Sequence, residues 1–159
     1  MRRLRGSAFT EVLIAMFIVV ILVMGITAMS PMTSRMQTQA RQYTYATNVA
    51  QTVLERVRTL PFLSITPNGL IGAGLGETIP LNGTNHFRVS FTQIQTPSGS
   101  LNLRPELREG TGTIEVFNLT TNNNISIGLK TVFVTIQWRE PSTNRLQQVQ
   151  LATTIASLQ

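Results

Sequence analysis

The sequence contains no cysteine, no aspartate and a single histidine, His86. Those absences remove disulfide frameworks, zinc sites of the Cys/His kind, cysteine nucleophiles and calcium loops built on aspartate. Charge is also scarce, at 13% of the residues, and it leans basic, with 13 Lys+Arg against 7 acidic residues and a net charge of +6. A chain of 159 residues has room for one modest core and not for two catalytic domains. No internal repeat or domain linker stands out.

A basic excess invites a nucleic-acid hypothesis, because phosphates recruit clustered Lys and Arg. The clustering here is confined to Arg2, Arg3 and Arg5, which supply half of the +6 and directly precede an apolar run. Arg88, Arg104, Arg108, Lys130, Arg139 and Arg145 come from separate segments. Nucleic acid therefore stays a minor alternative partner.

From Val12 to Met29 the chain reads VLIAMFIVVILVMGITAM, without a charge. As a helix this run spans about 27 Å, close to the roughly 30 Å of a hydrocarbon core. The arginines before it place that end in the cytoplasm and the rest of the chain on the far side. A plain single-span anchor and a secretory signal peptide both compete for this segment. The signal peptide fits poorly: the run is long for one, and the small-residue site Ala28-Met29-Ser30 is followed by Pro31. Neither alternative explains Glu11, since a carboxylate at the start of a membrane helix costs ~1–3 kcal/mol and gives an anchor nothing.

Spacing offers an explanation. A cut after Gly6 leaves a chain beginning Ser7-Ala8-Phe9-Thr10-Glu11, with a new amine at Ser7 and the carboxylate fifth. With the basic leader Met1-Arg2-Arg3-Leu4-Arg5-Gly6 and the apolar run, this pattern resembles the prepilins of type IV pili and the pseudopilins of type II secretion. The resemblance implies cleavage between Gly6 and Ser7 by a membrane-embedded prepilin peptidase. It also implies pairing of Glu11 with the N-terminal amine of a neighbouring subunit, and N-methylation of the new terminus. The family usually begins its mature chain with Phe, whereas Ser7 holds that place here. A cut before Phe9 would instead make Glu11 third, with Ala8 rather than Gly before the bond. Many pilins close a C-terminal loop with a disulfide and major pseudopilins bind calcium through acidic oxygens; lacking Cys and Asp, this chain matches a minor prepilin better.

Pro31 should kink or loosen the helix, which then resumes, because Ser34 to Thr59 holds neither Gly nor Pro. Ala46, Val49, Ala50, Val53, Leu54 and Val57 fall on one helical face, which needs a partner surface. Residues 61–83 are rich in Pro and Gly and read as an irregular connection. The run Gly72-Ala73-Gly74-Leu75-Gly76 fails as a phosphate loop, having no clear strand before it, no helix after it and no closing Lys-Ser/Thr. Strand patterns follow at His86–Ile94, Thr113–Leu119, Lys130–Trp138 and Leu146–Leu158, the last two flanking a hairpin loop at Arg139–Arg145. Residues 96–112 and 120–128 read as loops.

The expected fold is α+β and pilin-like, a long N-terminal helix packed on an antiparallel sheet of about four strands. Its segments are a leader (1–6), a transmembrane or filament-core helix (7–29), an amphipathic helix (30–60) and a periplasmic sheet domain (61–159). Chemistry has little to work with: His86 has no aspartate to orient it, and the only close carboxylates, Glu106 and Glu109, lie among Arg104 and Arg108. No enzyme activity, metal or cofactor is expected. The expected function is that of a minor type IV pilin-like subunit of the bacterial inner membrane and then of a filament. Its partners would be the prepilin peptidase, other pilins or pseudopilins, the assembly platform and the membrane. The alternatives are a minor pseudopilin of a type II secretion or DNA-uptake system and, more distantly, a single-span periplasmic binding protein.

Overall fold

The computed structural model describes residues 5–83, 85–97, 99–120 and 126–157, and only the backbone of residues 5–8, 28–31, 120, 126 and 127. A single helix, α1 (Arg5–Thr59), opens the chain. It carries on past Pro31 without a break, and the side chain of Pro31 lies outside those described. Its residues divide between two compact units, one running through Ala40 and the other starting at Arg41.

In the second unit α1 supplies one wall of the core. Ala46, Val49, Ala50, Val53 and Val57 are buried, and Leu54 packs at the margin, as the helical spacing predicts. Ala46 and Ala50 carry almost no side chain, which lets the helix backbone come close to the sheet. That sheet has five strands in the order β1-β2-β5-β6-β7: β1 (Thr78–Asn82), β2 (His86–Phe91), β5 (Thr111–Thr120), β6 (Ser126–Arg139) and β7 (Leu146–Ala156). All of its pairings are antiparallel. Between β2 and β5 the chain makes a separate two-stranded hairpin, β3 (Gln93–Thr96) with β4 (Gly99–Asn102).

Alternation decides which face is buried. Phe87, Val89 and Phe91 of β2, Ile114 and Val116 of β5, and Val132, Val134, Ile136 and Trp138 of β6 turn inward. Their neighbours Arg88, Glu115, Thr135 and Gln137 line the opposite face, where Arg88 and Glu115 form an ion pair. Gly112 faces Phe91 across the β2–β5 register; a Cβ there would lie 2.1 Å from the phenyl Cζ, so the ring occupies the space a side chain would need. Trp138 meets Tyr43 of α1 edge to face, with ring centroids 5.0 Å apart.

The four expected strands are present, the first ending at Phe91 while Ile94 belongs to β3, and the sheet is larger than expected. β1 and a short helix, α2 (Pro67–Gly72), form inside the stretch expected to be irregular. α2 begins with Thr66, whose hydroxyl accepts from the Gly69 N–H, and has Pro67 in its first turn. It ends with Gly74 at φ +71, the Leu75 N–H donating to Leu70 and the Gly74 N–H to Ile71. This left-handed glycine stop places buried Leu70 and Leu75 together. The Gly-rich run is thus a helix terminator. β1 tolerates Pro80 because it is an edge strand whose register shifts between Thr78 and Leu81. The β3–β4 hairpin overturns part of the loop expected at 96–112, and β6 begins at Ser126 inside the loop expected at 120–128. Residues 121–125 of that loop lie outside the described residues.

Candidate functional site

The described side chains in the first half of α1 point outward. From Phe9 to Thr27 every residue is exposed, and the large apolar ones range from 52% at Leu13 to 71% at Ile26. None of this surface is spent on the protein's own core. Among the described residues α1 is the one helix long and apolar enough to cross a membrane. Ile and Val are mediocre helix formers in water. In a lipid or bundled-helix environment the helix is favoured because it satisfies every backbone group internally.

The hydroxyl at the far end of that run is also satisfied locally. Thr27 donates its hydroxyl back to the carbonyls of Val23 at 2.9 Å and Met24 at 3.0 Å. Val12, Ala15, Met16, Val19 and Val20 line a shallow apolar groove along one side, at the i, i+3, i+4, i+7 and i+8 spacing that receives side chains of a second helix. An apolar surface this long is far above the few hundred Å² that monomeric soluble proteins leave uncovered.

Glu11 interrupts it at one end. The carboxylate is exposed, and no cation among the described residues lies within ion-pair distance of it. Gly6 and Ser7 are in the first turn of α1, and the Ser7 side chain lies outside those described. Helical geometry puts Ser7 and Glu11 one turn apart, about 6 Å along the axis. Glu11 is therefore a charged hydrogen-bond acceptor next to an apolar helix surface, and burying it against other helices requires an external cation.

The remaining sequence candidates do not converge. His86 stacks flat on Phe117, with centroids 4.1 Å apart, and its Nε2 is buried with no hydrogen-bond partner among the described residues. Glu109 bonds to Arg139 at 2.8 Å, while the charge of Glu106 helps raise the pKa of the Tyr45 phenol, behind the larger effect of burial. No group of three His or Glu side chains among the described residues is placed to hold a metal ion.

Two side chains that sequence reasoning passed over organise the second unit. Lys130, the only lysine, donates from Nζ to the carbonyls of Phe62 and Ile65, both at 2.9 Å, and lies 4.5 Å from the Phe62 ring centre. It ties β6 to the 3-10 turn Phe62–Ser64 that follows α1, and burial lowers its pKa. Glu140 is buried at the β6–β7 turn, accepting from Ser142 Oγ at 2.8 Å and from Thr143 Oγ1. Both are structural. No family model, curated protein or solved structure matches this chain.

Proposed function

We propose that the chain is a prepilin-like structural subunit, cut between Gly6 and Ser7 and co-assembled as a minor component of a type IV pilus. The observation that carries this reading is the division of labour along α1. Its first half keeps a continuous apolar surface exposed with Glu11 at the start, and its last turns are sunk in the core of an α+β unit. An anchor needs the first feature without the carboxylate. A filament subunit uses both, because helices bundled away from water bury the apolar surface, and Glu11 recognises the amine that cleavage exposes on a neighbour. Before assembly the subunit waits in the bacterial inner membrane, N-terminus in the cytoplasm, until the prepilin peptidase and the assembly platform act on it.

Two measurements test this. Intact mass of the protein recovered from membranes of cells making the peptidase should show loss of residues 1–6; a retained leader overturns the proposal. Glu11→Ala should insert into the membrane at the normal level and be absent from sheared filaments. Recovery of that variant in filaments at the wild-type level removes the role given to Glu11. A secretion defect without a piliation defect on gene deletion would move the chain to the pseudopilins.

A further inference from the structure

The two edges of the five-stranded sheet are built differently. β1 is five residues long, contains Pro80 and slips register against β2, which are features that block strand addition. β7 has none of them. It runs for eleven residues without Pro, Gly or a charge and pairs with β6 in unbroken register from Leu146 opposite Arg139 to Ala156 opposite Leu129.

The hydrogen bonds at its two ends show which backbone groups are free. The Glu140 N–H donates to the Arg145 carbonyl, and the Ser157 N–H to the Gly128 carbonyl. Bonded pairs alternate along an antiparallel ladder, so the odd residues of β7 bond to β6. The even ones, Leu146, Gln148, Gln150, Ala152, Thr154 and Ala156, point N–H and C=O away from the sheet. No backbone group among the described residues meets them there. On the helix side of the same strand Val149, Leu151 and Ile155 are only partly buried, so the core itself is left open along this edge.

We propose that β7 pairs with β7 of a second copy of this chain, antiparallel, about a twofold axis at Leu151. Three observations select a second copy. The blunted β1 edge bars head-to-tail addition of β7 to β1, leaving the isologous arrangement. With no charge in β7, no like-charge pair arises when the strand meets itself. The register that overlaps all eleven residues also sets even opposite even, as hydrogen bonding requires. In it Gln150 faces Ala152, Gln148 faces Thr154 and Val149 faces Thr153, while Leu151 faces its own copy and covers the open core. This pairing does not rest on the filament reading: a twofold through the sheet runs the core-packed turns of α1 in opposite directions in the two copies, so it joins subunits outside a shared membrane or filament.

The full-length protein in detergent is cysteine-free, so each introduced cysteine is the sole thiol. Leu151→Cys is expected to form a disulfide-linked dimer on mild oxidation. Gln150→Cys and Ala152→Cys, both on the exposed face, should cross-link poorly alone and strongly when mixed and treated with a short thiol cross-linker, which keeps the test open where Leu151→Cys fails to fold. Ala152→Pro removes an outward N–H and spares the β6 ladder, so it should abolish the dimer with an unchanged circular dichroism spectrum. A monomer at every concentration in sedimentation velocity, cross-linking that is indifferent to position, or an Ala152→Pro protein that still dimerises would each overturn the proposal.

Discussion

Tyr45 and Lys130 show how single side chains sense the packing of the second unit. Burial is the first cause of both shifts, raising the Tyr45 pKa, with Glu106 adding to it, and lowering that of Lys130. The Tyr45 hydroxyl also donates to the Asn102 carbonyl at 3.0 Å, a bond that ionisation would abolish. Because the folded pKa of Tyr45 lies above its unfolded value, its contribution is complete below about pH 10 and is lost as pH rises through the folded value. Lys130 has the opposite sign: the unfolded chain holds its proton longer, so its contribution to stability grows with pH up to about 10.4. Comparing the wild type with Tyr45→Phe isolates the tyrosine. The variant should show a smaller drop in Tm between about pH 9 and pH 11; equal slopes would mean that Tyr45 ionises as freely in the folded protein as in the unfolded chain.

At the level of elements, alternation and helical spacing made most of the architecture legible. Val132, Val134, Ile136 and Trp138 repeat every second residue, and Ala46 to Val57 repeat at helical intervals, and both sets are buried save Leu54 at the margin. β1 and α2 were not legible because Pro and Gly normally signal irregular backbone. Here Pro80 is tolerated at an edge, and Gly69 and Gly74 are demanded by close contact. A Cβ on Gly69 would lie 2.0 Å from the Ser64 carbonyl oxygen, and one on Gly74 2.7 Å from Gln95. Lys130 was illegible for a different reason: its partners are backbone carbonyls 68 and 65 residues away, and backbone acceptors leave no mark in a sequence. Gly112 tests how tightly β2 and β5 are matched. Gly112→Ala drives a methyl group into the Phe91 ring and should cost ~1–3 kcal/mol, read as a lower urea midpoint with an unchanged slope. Phe91→Leu in the same background should recover part of the loss.

For the molecule as a whole, the consequence of the two units is a separation of stability from surface chemistry. Among the described residues every buried hydrophobic one lies at Ala46 or later, within the second unit. Residues 41–159 produced alone should therefore keep a cooperative thermal transition and stay in solution without detergent, whereas the full chain should require it. Loss of the transition on truncation would show that the first half of α1 helps to hold the sheet domain together. Glu11 was legible at this scale because a charge beside an eighteen-residue apolar run is conspicuous; the open β7 edge was not, since nothing in LQQVQLATTIA says whether a further strand lies beside it. Trp138 adds something of practical use. It is the only indole in the chain, is 1% exposed, and abuts Tyr43 on α1. Its emission colour and quenching therefore form a built-in optical gauge of whether the helix stays seated on the sheet, readable in a membrane or a filament without attaching any dye.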